Sequence, residues 1–270
     1  MAIDNGISEE NAGSNADKEA ASNSKVKKHK VWPWVLGIVI VIILIPVVVL
    51  AFFGFVPGVS SIFGFNKPKD LGVKYTAADY ASYQTKTSGQ FLDFANAPAN
   101  SNKPGKKVVF ADPKQMDVNL TQEEITATIN SVGWVWMPIK NAQVRMGNGT
   151  VEVSGNVNAA NIPNFVNFIG GVGYPQASVE QASSWAKILG NPPIYIKANA
   201  SVTNNVLSLT VTEGQVGKFK IPASIAEKVL KTGTINIKNN AVGYDAQSAT
   251  FQNGQLHFVG TSPTTIYVKK

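Results

Sequence analysis

No charged residue occurs between positions 31 and 66, and positions 35–55 (VLGIVIVIILIPVVVLAFFGF) are almost wholly apolar. A helix needs about 20 such residues to cross a hydrocarbon core of roughly 30 Å, so this stretch is long enough to span a bilayer. Lys25, Lys27, Lys28, His29 and Lys30 stand directly before it. By the positive-inside rule that side is cytoplasmic, and everything beyond position 66 is expected outside. The span contains no ionisable residue and therefore no proton relay or ion path, so the expected role is an anchor.

A cleaved signal peptide fits poorly. Its apolar core runs only about 7–15 residues and ends in a small-residue site, whereas here the run is longer, no such site follows, and a long polar segment precedes it. The absence of cysteine excludes a lipid-attachment box. Trp32 and Trp34 fall at the predicted cytoplasmic boundary, where an indole keeps its ring apolar and its N–H wet. Pro46 lies mid-span and removes one backbone hydrogen bond, a kink that membrane helices tolerate.

The first residues (MAIDNGISEENAGSNADKEAASNS) hold few large apolar groups and cannot offset the entropy of ordering. The expected organisation is a disordered cytoplasmic tail with a basic end over 1–30 and a transmembrane anchor over 31–56. A Gly/Pro-punctuated linker follows over 57–69, then an extracytoplasmic domain over 70–270. Up to Lys30 there are five lysines against five acids, so the net charge of +7 belongs entirely to the remainder. Those cations are scattered and only Arg145 is an arginine, which argues against a nucleic-acid partner. The densest group, Lys103, Lys106, Lys107 and Lys114, suits a solvated loop or anionic lipid heads. An external domain without cysteines reads as a bacterial envelope protein in the cell membrane.

The external part alternates in the manner of strands. Ile194, Ile196, Ala198, Ala200 and Val202 alternate with Tyr195, Lys197, Asn199, Ser201 and Thr203. Val151, Val153 and Val157 alternate with Thr150, Glu152, Ser154 and Asn156, so the second set of each strand is assigned to a wet face. AQVRMGNGTVEVSGNV, ASVTNNVLSLTV and ATFQNGQLHFVGT form a loose repeat of strand, Asn-rich turn and strand. Asn148-Gly149 and Asn253-Gly254 predict type I′ hairpins, and Asn204-Asn205 is a weaker version. Capping boxes at Thr76-Ala-Ala-Asp79, Thr121-Gln-Glu-Glu124 and Ser178-Val-Glu-Gln181 predict helix starts. Further helices are expected over 161–169 and after Pro222. The Thr121 helix bears Ile125, Ile129 and Val132, and in the helix after Pro222 Ile225, Val229 and Leu230 are expected to face inward. The predicted fold class is α+β: one N-terminal transmembrane helix, then a curved, mainly antiparallel sheet with several short helices.

Catalytic chemistry is sparse. The external part has one histidine, His257, placed by alternation beside Gln255 on a polar strand face, and no G-x-S-x-G elbow accompanies it. Transition-metal sites need more His or Cys, and no Walker or dinucleotide fingerprint occurs, so neither a metal nor a cofactor is expected. Asp112, Asp117, Glu123, Glu124, Glu152 and Glu213 are the acids available for a paired-carboxylate site. The reading is nevertheless non-enzymatic.

The stretch Asn119-Leu-Thr-Gln-Glu-Glu-Ile-Thr-Ala-Thr-Ile-Asn130 resembles the LT-x-x-E-hydrophobic-N helix of the YpmS-like family of single-pass membrane proteins. Val206-Leu-Ser-Leu-Thr-Val followed by Gln215-Val-Gly-Lys-Phe-Lys-Ile-Pro222 is similar to that family's L-x-L and hydrophobic-G-x-hydrophobic-hydrophobic-P segment. VEVSG is similar to a strand of AsmA and LmeA-like proteins. The resemblance covers residues 119–231 and implies an elongated curved sheet enclosing an apolar groove, which in some members binds lipid. This chain departs from it by a helical insertion over 161–189 and a last hairpin. The expectation is an apolar-ligand groove lined by Trp134, Trp136, Phe165, Phe168 and Trp185, with the lipid bilayer and a lipid ligand as partners. The alternatives are an envelope assembly factor with a protein partner, or a wall-polymer binder using aromatics and lysines.

Overall fold

A computed structural model of the chain describes residues 66–99, 108–168, 191–222, 233–236 and 243–270, with the single positions 180 and 184. The predicted tail, the predicted anchor with Trp32 and Trp34, and the predicted helices after Ser178 and Pro222 lie outside the described residues. Among the described residues no helix is long and apolar enough to cross a membrane. The fold is α+β, built on an open, curved and mainly antiparallel sheet.

The elements in chain order are α1 (Ala77–Thr87), β1 (Gln90–Asp93), β2 (Val108–Thr121), α2 (Gln122–Ser131), β3 (Ile139–Met146) and β4 (Thr150–Val157). There follow α3 (Ile162–Phe168), β5 (Pro193–Thr203), β6 (Val206–Val216), β7 (Phe219–Ile221), β8 (Gly233–Asn236), β9 (Asp245–Gln252) and β10 (Gln255–Val268). Two antiparallel groups make up the sheet. In one, β10 pairs β2 along its whole length, with β9 and then the short parallel β1 on its other edge. In the other, β3, β4, β5 and β6 follow one another and β7 and β8 share the far edge of β6. The groups join where Val202 and Thr203 of β5 pair Ala249 and Ser248 of β9.

All three Asn-rich turns form hairpins, and all three lie at that junction. Asn204 N and Asn205 N donate to Gln247 O and Ala246 O, while Gly149 N donates to Phe251 O and Gly254 N to Met146 O. Asn253 N donates to the Asn148 side chain. The turn chemistry differs from expectation at one site. Both residues are left-handed in Asn253-Gly254 (φ 51° and 78°) and in Asn204-Asn205 (φ 49° and 66°), the type I′ pattern. In the β3–β4 turn only Gly149 has positive φ (68°). There the loop spans residues 147–149, closed by Gly147 N to Thr150 O, and a longer loop needs only one left-handed position.

The core of the first group lies under the helices. Val118, Leu120, Val202, Ala246, Ala249 and Phe258 are buried, with Tyr83 of α1 and Ile125 of α2 packed against them. Val118, Leu120, Val202 and Phe258 each contribute about 1.5–3 kcal/mol by burial, the two alanines less. In α2, Ile125 and Ile129 are half-buried, whereas Glu124, Thr126, Ala127 and Thr128 are buried, as is Val132 just beyond its end. That arrangement has a cause in the edge of β3. Met146 N donates to Gln122 Oε1, Val144 N to Thr126 Oγ1, and Ala142 N to Asn130 Oδ1. Every fourth residue of a helix advances about 6 Å, close to the two-residue repeat of a strand, so one polar helix stripe satisfies alternate backbone groups of an otherwise open edge.

The assignment of wet and dry faces fails in the middle of the second group. Glu152, Ser154 and Tyr195 were expected in water and are buried. The chain preceding α1 runs across that face: Leu71 and Val73 pack on Tyr195, and Asn66 O accepts from Asn156 Nδ2. Period-two alternation reports one covered face, and here a strap covers the second.

Candidate functional site

α2 ends where Gly133 turns left-handed (φ 63°), releasing the loop that carries the two tryptophans. Val135 N donates to Lys269 O at 2.8 Å and Met137 N to Trp134 O at 2.9 Å, which fixes the loop against the end of β10. Asn158 N donates to Pro138 O, and Asn161 Nδ2 donates to Met137 O. These bonds set α3 beside the loop. Trp134 then lies 6.0 Å from Trp136 and 6.0 Å from Phe165, centroid to centroid, tilted by 52° and 58°. Tilted rings at this distance are a favourable aromatic arrangement. All three are half-buried, and Val135 between the tryptophans is 40% exposed. The structure thus brings together Trp134, Trp136 and Phe165; the side chain of Phe168 and the whole of Trp185 lie outside the described residues.

The cluster stands just before β3, whose first residue, Ile139, packs against Gly155 on β4. That face of the second strand group is apolar in successive rows. Val144, Val153, Ile196, Gly214 and Ile221 follow one another across five strands. Gly155, Ile194, Val216 and Phe219 form the next row across four. Val153, Ile194, Ile196, Val216 and Ile221 are half-buried, and Phe219 is 51% exposed.

On the opposite face Arg145 grips Glu152 with two nitrogens, at 2.8–3.0 Å, and Tyr195 Oη donates to Glu152 Oε2 at 2.7 Å. Lys69 Nζ sits 3.5 Å over the Tyr195 ring and Arg145 Nη1 donates to Leu71 O, so the strap is tied to the same group. Burial opposes the Glu152 charge, but the bonds from Tyr195 and Arg145 outweigh it and hold the carboxyl below its usual value. Burial, then the Glu152 carboxylate, pushes the Tyr195 phenol up. Glu124 is a second buried carboxylate, bonded by Lys86, Ser82 and the Thr121 N–H. Burial would raise it; these donors, Lys86 foremost, lower it.

Four of the six acids engage basic side chains. Asp117 engages His257, Glu124 engages Lys86, Glu152 engages Arg145 and Glu213 engages Lys197. Among the described residues no group of three or more His, Cys, Asp or Glu could hold a metal ion. His257 lies beside Gln255 on the outer face of β10, as the alternation predicts. Sequence reasoning missed the burial of Glu152 and Tyr195, whose only local signal is the lone arginine opposite Glu152. It also missed the strap, which has no signature in the strands it covers. No family model matches this chain, and neither the curated proteins nor the solved structures yield a match.

Proposed function

We propose that this chain is a membrane-anchored, non-enzymatic extracytoplasmic module that takes an acyl chain or similar apolar ligand. The carrying observation is the apolar face of the curved sheet, half-exposed from Val153 to Phe219, with the Trp134–Trp136–Phe165 cluster at the start of β3. An acyl chain is a narrow apolar rod that gains free energy in proportion to the area it buries, and adjacent rows of half-buried aliphatic side chains present such area. The uncharged stretch over 31–66 supports a tether that holds this face near a bilayer.

The test is photo-crosslinking of the full chain in nanodiscs doped with a diazirine fatty acid, with adducts mapped by peptide mass spectrometry. The expected adducts fall on the peptides bearing Trp134, Trp136 and β4–β6. Labelling confined to residues 31–66 abandons the reading, as does recovery of protein adducts without lipid after cross-linking in cells.

A further inference from the structure

The outer face of β2, β10 and β9, opposite the core that α1 and α2 cover, carries a depression of about 280 Å³ lined by Asn119, Thr250, Gln252, Asn253, Gln255 and His257. The strand register builds it. Asn119, His257 and Thr250 are directly aligned across the three strands, and Gln255 pairs Gln252 one step nearer the turn. Asp117 Oδ1 lies 2.7 Å from His257 Nε2 and orients the imidazole. Among the described residues no Lys or Arg lines the depression.

The chemistry of that lining is selective. Each carboxamide offers two donors and an acceptor, the threonine hydroxyl does both, and the imidazole adds a further nitrogen. An anion finds no lysine or arginine among the described lining residues and meets Asp117 nearby; an acyl chain finds no apolar wall. Adjacent groups that both donate and accept complement the vicinal hydroxyls of a sugar ring. We propose that this depression binds an uncharged, hydroxyl-rich ligand, a segment of glycan, independently of the apolar face proposed above. Its size falls just under the range of about 300–1,000 Å³ typical of small-ligand sites, so the contact is shallow.

The imidazole is a built-in reporter. In the full chain held in nanodiscs and labelled with ¹³C-histidine, His257 and His29 give the only ring signals, and His29→Ala assigns them. Titration with chitohexaose or maltohexaose is expected to move the His257 resonance saturably. The double variant Gln252→Ala/Gln255→Ala, on the outer face, should abolish that shift while leaving Tm unchanged. Co-sedimentation with insoluble cell-wall glycan identifies the source: loss of pelleting in the double variant assigns a wall strand, and binding of soluble oligomers alone assigns a free sugar. Absence of a saturable shift with either oligomer overturns the proposal, and so does a shift or pelleting that the double variant leaves intact.

Discussion

Asn130 and Ala142 exchange two hydrogen bonds: Ala142 N donates to Asn130 Oδ1 at 3.0 Å and Asn130 Nδ2 donates to Ala142 O at 2.8 Å. A side-chain carboxamide carries the same donor and acceptor as a peptide group, so Asn130 serves β3 as a neighbouring strand would. With Thr126 and Gln122 it seals an edge that would otherwise template pairing with another chain. Asn130→Ala leaves both Ala142 groups unpaired and is expected to cost about 2–3 kcal/mol. Urea denaturation measures that cost. Amide exchange should show Ala142 losing protection in the variant, and unchanged protection there would contradict the sealing role.

The second prediction concerns acid. Because Glu124 is held below the ordinary carboxyl value of 4.5, the folded state binds its proton less readily than the unfolded state. Its contribution is complete above that ordinary value and is lost as pH falls through the lower folded value. Glu124→Gln should be less stable than the parent at neutral pH, yet lose less further stability on acidification. Glu152, shifted the same way, should behave alike, and the double variant should flatten the profile most. Urea midpoints from pH 7 down to 2 decide it; parallel profiles for parent and variants would refute the assignment.

What the sequence made legible follows from the range of each interaction. Thr121 and Glu124 are three residues apart, and their reciprocal capping bonds are readable as a local pattern. Asn253-Gly254 is equally local. The strap is not: Leu71 N bonds Gln143 Oε1 across 72 positions, and nothing near Tyr195 announces that Leu71 will cover it. The edge-sealing stripe of α2 lies between these limits. Gln122, Thr126 and Asn130 stand at helical spacing, but polar residues at that spacing ordinarily mark a wet face, and only the neighbouring strand edge reverses the reading. In the candidate site, Trp134, Trp136 and Phe165 were identifiable as large aromatics beside Gly and Pro breakers, whereas the polar depression depends on a register set by three strands at once.

Tyr195 gives the third prediction. Its phenol is held above the ordinary value of 10.0, so in strong base the unfolded state releases the proton first and stability falls as pH rises past that value. Tyr195→Phe removes the bond to Glu152 at an expected cost of about 1.5–3 kcal/mol, because that acceptor is charged. Ultraviolet titration of the folded protein should lose one late-ionising phenol in the variant. Burial also raises Tyr80, Tyr83 and Tyr244, so the late component should shrink by one phenol and not vanish; an undiminished late component would refute the assignment.

Ser154 Oγ is fully buried, and among the described residues no atom accepts from it or donates to it. A hydroxyl removed from water without a partner costs about 1–3 kcal/mol, and replacing it by a hydrogen loses little packing. Ser154→Ala is therefore expected to stabilise the chain by up to about 1 kcal/mol. A destabilised variant in thermal unfolding would mean that an internal water satisfies the hydroxyl.

Gly260 marks the place where the β9–β10 register shifts, with φ at 151°. A Cβ there would run into Asp245 O and come within 3.0 Å of Ala246 Cα and Gln247 N. Those backbone atoms cannot retreat easily, because Asn205 holds β9 from the other side: Asn205 Oδ1 accepts from Ala246 N and Asn205 Nδ2 donates to Asp245. Gly72 is the natural comparison, since its φ is 75° but its Cβ would meet no atom of the described residues within 4 Å. Gly72→Ala carries only the left-handed penalty of about 1–2 kcal/mol. Gly260→Ala adds a backbone collision to an unfavourable φ and is expected to cost about 3 kcal/mol or more, shifting β9 against β10. Equal losses of Tm in the two variants would show that dihedral strain alone sets the cost. A larger loss at Gly260, with altered amide shifts at Thr250 and Gln252, would show that the close approach of β9 and β10 holds the outer face in register.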